Sequence, residues 1–159
     1  ICACLVGSEM CIRDRYKGAD FVMKKVLSSV LALAMVFAMA LSFTSCNNGK
    51  IDSIEAFVAT DEMQSQIKEA KESVEDGTLT MDIVAEGNKL VYVYTYQTDL
   101  DIEATKEALA TAIEQQASVF ENVAKEIKNA VNVENPIVEV RYLAKDGTEI
   151  YSQEFTAAE

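Results

Sequence analysis

The side chains that could do chemistry in this chain are mainly carboxylates and phenols. Its 159 residues include 26 aspartates and glutamates and six tyrosines, but no histidine and no tryptophan. Without an imidazole, a histidine-assisted nucleophile and a histidine metal ligand are both excluded. A pair of carboxylates could still cleave a glycosidic bond as general acid and base. Because neither spacing nor context singles out such a pair, we predict no catalytic, cofactor-binding or metal-binding residues.

The acidic run DLDIE at residues 99–103 is the segment closest to a metal-binding motif. It lacks the glycine and the later bidentate glutamate of a calcium loop. The helix dipole alone favours acidic residues near a helix N-terminus. We therefore interpret this run as the first turn of a helix.

Three tyrosines, Tyr92, Tyr94 and Tyr96, alternate along one segment and so share one face of a predicted strand. If that face is exposed, the three rings could stack against sugars or a peptide. If a helix covers it, the rings belong to the core and their hydroxyl groups reach its edge. The four aliphatic residues predicted to share the face favour the core interpretation. The three tyrosines are nevertheless the candidate binding surface that the sequence offers.

One cysteine, Cys46, follows a segment with the three parts of a secretory signal. Lys24 and Lys25 precede an apolar run at residues 26–41, and small or polar residues then lead to the cysteine. The run is shorter than the roughly 20 residues that a membrane-spanning helix needs. We therefore predict that residues 23–45 are a signal peptide and not a structural helix.

The residues before Cys46 resemble the bacterial lipobox, in which the cysteine thiol receives a diacylglyceryl group before cleavage. Thr44 and Ser45 match that pattern, whereas Phe43 stands where leucine is usual. The resemblance implies a mature chain that begins at Cys46 and is lipid-anchored on the extracytoplasmic face of the cell membrane. The alternative is ordinary secretion with cleavage after residues 38–40, which would leave the Cys46 thiol free.

Residues 1–22 are interpreted as an artefactual or untranslated leader, because Met23 is a convincing initiator. Residues 4–15, CLVGSEMCIRDR, are what a common sequencing adapter encodes in one reading frame. The other three cysteines of the chain, Cys2, Cys4 and Cys11, all fall in this leader. We therefore do not interpret their spacing as a metal site, and we exclude the segment from fold reasoning.

The part of the chain after Cys46 is long enough for one domain and is strongly acidic. Three of the 26 acidic and five of the 14 basic residues precede Cys46, which leaves 23 acidic and nine basic residues and a net charge of −14. This charge argues against nucleic acid and anionic lipid as partners. Residues 46–50 are too few to form more than a short linker, so we predict a single domain at residues 51–156 close to the membrane.

Two helices are predicted at the start of this domain. Residues 53–59 and 61–75 carry apolar stripes that would lie on nearly opposite sides of one continuous helix. Thr60 falls between the stripes and is followed by two acids, which is typical of a helix N-cap. The second helix is expected to end at Gly77.

Two hairpins and a long helix make up the rest of the prediction. Residues 78–97 alternate around Gly87-Asn88, which indicates a two-residue turn that pairs Glu86 with Lys89. Residues 98–131 have helical periodicity, with Ile102 on the apolar stripe that would face the core, and the helix would be capped by Thr98 or Asp99. In the hairpin at 137–156, two registers remain open. A two-residue turn sets Tyr142 opposite Tyr151, and a three-residue loop with a bulge sets Tyr142 opposite Ile150.

The order helix, hairpin, helix, hairpin predicts an α+β fold, a four-stranded antiparallel sheet with helices packed on one face. A dimer formed through the long helix is the alternative to a monomer, since near-heptad spacing recurs at residues 102–127. Lys106 and Gln116 interrupt that seam, and the hairpin needs a cover. We therefore favour a monomer.

The domain resembles an uncharacterised family of small lipoproteins from Gram-positive anaerobes, described only as a domain of unknown function. The resemblance rests on DEMQSQI at 61–67, VAEGNKLVYVYTY at 84–96 and FENVAKEIK at 120–128. It implies no activity and no cofactor.

Together these observations favour a non-enzymatic lipoprotein that binds a protein, a peptide or an envelope component. The alternatives are an acid-pair hydrolase acting on cell wall or glycan, and a secreted inhibitor of an envelope enzyme.

Overall fold

The computed structural model describes residues 49–75 and 77–157. The predicted leader at 1–22, the predicted signal peptide at 23–45, Cys46 and most of the predicted linker lie outside the described residues. Within the described residues, no helix is both long and apolar enough to span a bilayer.

Two short helices open the domain where the sequence predicts them. Helix α1 spans Ile54–Val58 and helix α2 spans Asp61–Val74. The chain changes direction at Thr60, whose hydroxyl accepts a hydrogen bond from the backbone N–H of Met63 and caps α2. The predicted division at Thr60 is therefore confirmed.

The first hairpin has the predicted register throughout. Strands β1 (Leu79–Glu86) and β2 (Lys89–Tyr96) are antiparallel, and Glu86 pairs with Lys89 across the turn. Gly87 adopts a positive φ of 63°, which glycine tolerates without the strain that a side chain would bring.

The prediction of a single long helix at residues 98–131 is wrong, because the structure has two helices in this segment. Helix α3 spans Ile102–Gln115 and helix α4 spans Ala117–Ala130, with a single turn residue, Gln116, between them. One straight helix of 30 residues would be about 45 Å long, well beyond a strand of eight residues. The division lets both helices stay in contact with strand β4. The cap of α3 is Asp101 and not the predicted Thr98 or Asp99.

The central strand pair is parallel, which contradicts the prediction of a wholly antiparallel sheet. The strand order is β1-β2-β3-β4, with β3 at Ile137–Leu143 and β4 at Glu149–Thr156. Both hairpins are antiparallel, but β2 and β3 run in the same direction. The helical crossover of α3 and α4 returns the chain to the end where β2 begins, and the N–H of Ile137 donates to the carbonyl of Asn88 there. The fold is therefore α+β with a mixed sheet.

The second hairpin combines the two registers that the sequence left open. Next to the turn, the N–H of Ala144 donates to the carbonyl of Thr148, as in a three-residue loop. Farther along, Tyr142 pairs with Tyr151, as in a two-residue turn. A bulge between these two points accommodates Ile150 as the extra residue, and Ile150 is buried.

The helices cover one face of the sheet, as predicted. Helices α1 and α2 pack on β1, α3 packs on β4, and α4 packs on β3 and β4. The covered face contributes the larger side chains of the core, which are those of Leu79, Met81, Ile83, Leu90, Tyr92, Tyr94, Val138, Val140, Tyr142 and Phe155.

Candidate functional site

The three tyrosines that formed the candidate binding surface are inside the protein. Tyr92 and Tyr94 are fully buried, and Tyr96 is 7% exposed. The ring of Tyr94 stacks on that of Tyr142 with 4.8 Å between centroids, and Tyr92 lies 6.3 Å from the Phe120 ring. The core interpretation therefore holds, and the rings are not accessible to a sugar or a peptide.

The hydroxyl groups of these tyrosines are in an unusually apolar setting. Those of Tyr94, Tyr96 and Tyr142 are buried and have no hydrogen-bond partner among the described residues. Burial raises the pKa of Tyr96 to about 12 and that of Tyr94 further still, because a phenolate would lose its hydration. All three hydroxyls are therefore neutral near pH 7 and cannot act as bases there.

The opposite face of the sheet, which no helix among the described residues covers, carries a cluster of five charged side chains, which we call the Glu139 cluster (Glu86, Lys89, Glu139, Arg141, Glu154). Glu139 lies at its centre and is only 4% exposed. It accepts hydrogen bonds from Lys89 at 3.1 Å and from the Nε of Arg141 at 2.8 Å. Arg141 also binds both carboxylate oxygens of Glu86, and Lys89 also binds Glu154.

The pKa of Glu139 indicates that the Glu139 cluster has a structural role. Burial alone would raise the pKa of Glu139, but the hydrogen bonds from Arg141 and Lys89 outweigh it and lower that pKa below its usual range. The carboxylate is therefore ionised and fully paired. It has no spare proton to donate to a substrate. The hydrogen bonds and ion pairs of the cluster join all four strands of the sheet.

A surface cleft lies at the other end of the sheet, where β2 and β3 finish. It has a volume of about 530 Å³ and lies between the β2–α3 loop and the β3–β4 turn. Its apolar lining comes from Leu100, Ile102 and Ala144. Its polar lining comes from Thr98, Asp99, Lys145 and Asp146.

The side chain of Ile102 gives this cleft its chemical character. At 43% exposure, it is the only large hydrophobic side chain in the described part of the chain that is classed as exposed. The sequence placed Ile102 on the buried stripe of the long helix. The structure shows it instead at the first position of α3, one residue after the Asp101 cap, in the lining of the cleft.

The parallel pairing of β2 and β3 creates the cleft, which is why sequence reasoning missed it. Parallel strands finish at the same edge of a sheet, so the segments after Tyr96 and Leu143 meet. In the expected antiparallel sheet those segments would be at opposite ends. The DLDIE run was noticed in the sequence, but only as a helix start, and nothing in it indicated the turn at 144–147 as its neighbour.

The cleft contains two carboxylates, but the structure gives one of them a local role. The Asp146 carboxylate accepts a hydrogen bond of 2.9 Å from the N–H of Thr148, which closes the turn. This contact lowers the pKa of Asp146, so its carboxylate is ionised at neutral pH. Across residues 49–75 and 77–157, no group of three or more acidic, cysteine or histidine side chains is arranged to hold a metal ion. The lining of the cleft suits a partner that carries both a charged group and an apolar surface.

Comparison with known proteins gives one match. Residues 54–155 match a family model described as a domain of unknown function, DUF4854. Those residues run from the first residue of α1 to near the end of β4, so the match covers the whole α+β domain. No curated protein and no solved structure matches the chain.

Proposed function

The chain belongs to the DUF4854 family, and from that premise we propose that it is a membrane-anchored extracytoplasmic lipoprotein of a Gram-positive bacterium. Its domain binds a peptide segment that combines an apolar side chain with a basic one, and it does so without catalysis. The cleft at residues 98–102 and 144–146 is the binding site. Residues 4–15 have no part in this function, since they correspond to adapter sequence.

The anchor is supported by residues 23–46 alone. A basic start, an apolar run and small residues before Cys46 match a lipoprotein signal. Two acyl chains on one cysteine make a stable anchor, because each buried CH₂ contributes about 0.8 kcal/mol.

The observation that carries the binding role is the exposure of Ile102 inside the cleft. A solvent-exposed isoleucine beside Leu100 and Ala144 offers apolar surface for a partner's side chain. Asp99 and Asp146 flank it with only Lys145 as a cationic neighbour in the lining. This charge balance, in a mature chain of net charge −14, favours a basic partner over an acidic one.

Site-specific photo-crosslinking in intact cells tests the binding role. A photoreactive residue at position 102 is expected to capture one major partner through a segment that contains lysine or arginine beside an apolar residue. The matched control carries the same group at Lys68, which is exposed on α2, and it should not capture that partner. Equal capture from both positions, or none from position 102, would contradict the proposal.

Metabolic labelling tests the anchor separately. An alkyne fatty acid should label the wild-type chain, and Cys46→Ala should abolish the label and release the protein to the medium. A labelled Cys46→Ala chain would exclude Cys46 as the acylated residue.

The second candidate function is an acid-pair hydrolase, which one observation favours: Asp99 and Asp146 line the same cleft. Such an enzyme needs one carboxyl group with a raised pKa to serve as the general acid. The described structure shifts the pKa of three carboxyl groups, and it lowers the pKa of each. They are those of Glu55, Glu139 and Asp146. Loss of glycan hydrolysis in Asp99→Asn, with partner capture at position 102 unchanged, would favour the hydrolase instead.

A further inference from the structure

We infer that the anchor holds the domain with its cleft turned away from the bilayer, so that the partner in the cleft comes from the aqueous envelope and is not a lipid of that membrane. The inference rests on the proposed lipid anchor and the proposed use of the cleft. It is carried by a different observation, the position of the N-terminal residues in the fold.

The chain enters the domain at the end of the sheet where β2 and β3 begin. The N–H of Ile51 donates to the carbonyl of Ala130 at the end of α4, and its carbonyl accepts from the N–H of Asn132. Four residues later, the Glu55 carboxylate accepts from the N–H of Gly87 in the β1–β2 turn. The short loop after α4 then leads to Ile137, the first residue of β3.

The cleft lies at the opposite end of the same strands. Its two halves follow the last residues of β2 and β3, Tyr96 and Leu143. Strand β2 has eight residues and is therefore about 26 Å long. The point of entry and the cleft are therefore separated by about one strand length, because they lie near opposite ends of β2.

The tether is too short for the domain to invert. Five residue steps join Cys46 to Ile51, and a fully extended chain covers about 18 Å in that number of steps. If the cleft faced the bilayer, Ile51 would lie about one strand length, about 26 Å, from the membrane surface. Since 18 Å is less than 26 Å, the acylated chain cannot reach that orientation while Ile51 keeps its hydrogen bonds.

Quenching of site-specific fluorophores by spin-labelled lipid headgroups tests the orientation. The acylated full-length protein is reconstituted in phosphatidylcholine vesicles after labelling at one of three exposed positions. Glu134→Cys marks the end near the tether, Lys68→Cys marks the middle of α2, and Lys145→Cys marks the cleft. Quenching should be strongest at position 134, weaker at 68 and weakest at 145, where it should equal that of the same label on a Cys46→Ala background.

A lengthened tether is the matched control. Insertion of twelve glycine and serine residues after Lys50 gives the tether more than enough reach for inversion, so the difference between positions 134 and 145 should shrink at least twofold. An acylated protein with equal quenching at 134 and 145 would overturn the inference and leave the proposed anchor standing. A chain that carries no acyl group would overturn the anchor and this inference with it.

Discussion

At the scale of single residues, Tyr94 shows why a tyrosine of this sheet lies in the core and not on the surface. Its ring is fully buried and stacks on Tyr142, while its hydroxyl has no hydrogen-bond partner among the described residues. Burying a hydroxyl without a partner costs free energy, whereas burying the ring stabilises the fold. The ring contribution is the larger of the two, so the tyrosine stays inside.

Removal of that hydroxyl should therefore stabilise the protein. We expect Tyr94→Phe to raise the free energy of unfolding by about 1 kcal/mol, because it removes an unpaired buried polar group and keeps the ring. Urea denaturation followed by circular dichroism measures this. Tyr151→Phe is the control, since its hydroxyl binds the exposed Gln153 and its loss should change stability by less than about 0.5 kcal/mol. A destabilised Tyr94→Phe variant would show that the hydroxyl has a partner.

Glu139 is the residue whose charge matters most to the sheet. Its side chain is 6% exposed, and its carboxylate binds both Lys89 and Arg141. Glu139→Gln should lower the free energy of unfolding by about 2 kcal/mol, since it leaves two partly buried cations with weaker partners. Glu154→Gln removes a half-exposed partner of the same Lys89, so it should cost less than about 1 kcal/mol. Equal losses in the two variants would argue against a central role for Glu139.

Glu139 should also make the stability of the protein decrease as the pH falls. The folded state lowers the pKa of Glu139, so its contribution is present above the pKa of an unfolded glutamate, about 4.3, and is lost as pH falls through the lower folded value. The stability of the wild type should thus fall more steeply below about pH 4.5 than that of Glu139→Gln. Urea midpoints from pH 3 to 7 measure the difference, and parallel curves would contradict the assignment.

At the scale of elements, helices α2 and α4 begin in different ways. The hydroxyl of Thr60 caps α2, whereas Gln116 at the start of α4 makes no side-chain cap hydrogen bond. Thr60→Ala should therefore cost about 1 kcal/mol. Gln116→Ala should cost nothing measurable and can add a few tenths of a kcal/mol, because alanine favours helix. Thermal denaturation of the pair measures both. A large loss in Gln116→Ala would mean that its side chain has a structural role that the described contacts do not contain.

The helices also show which helix boundaries can be predicted from the sequence. The division at Thr60 follows from two misaligned apolar stripes and a capping residue, which are local features. The division at Gln116 has no glycine, proline or cap beside it. It depends instead on the length of the sheet that α3 and α4 must cover, and that length is set by strands far away in sequence.

At the scale of the whole molecule, the buried tyrosines couple ionisation to unfolding. Burial raises the pKa of Tyr92, Tyr94, Tyr96 and Tyr142. A raised folded pKa means that the stability is fully present below the unfolded value of about 10 and is lost as pH rises above it. We expect tyrosinate absorbance at 295 nm and the loss of circular dichroism to rise together above about pH 10.5. Tyr151 is only partly buried and should ionise first, and full ionisation of all tyrosines in a folded protein would contradict the burial.

The candidate site is likewise a property of the whole molecule. Thr98–Ile102 and Ala144–Asp146 are about 45 residues apart in the chain and meet only because β2 and β3 run parallel. The residue that characterises the cleft, Ile102, follows the apolar periodicity of its helix. Sequence reasoning therefore assigned it to the core, whereas the structure leaves it exposed in the lining of the cleft.

The sequence by itself determined the features that depend on near neighbours. These are the register of the first hairpin, the capped start of α2, the covered face of the sheet and the acidic surface, because alternation, capping and charge act over a few residues. Tertiary structure alone decided the parallel pairing of β2 with β3, the division of the long helix at Gln116 and the cleft between two distant loops. Those features depend on how far a helical crossover carries the chain before it rejoins the sheet, and local side-chain preferences do not fix that distance.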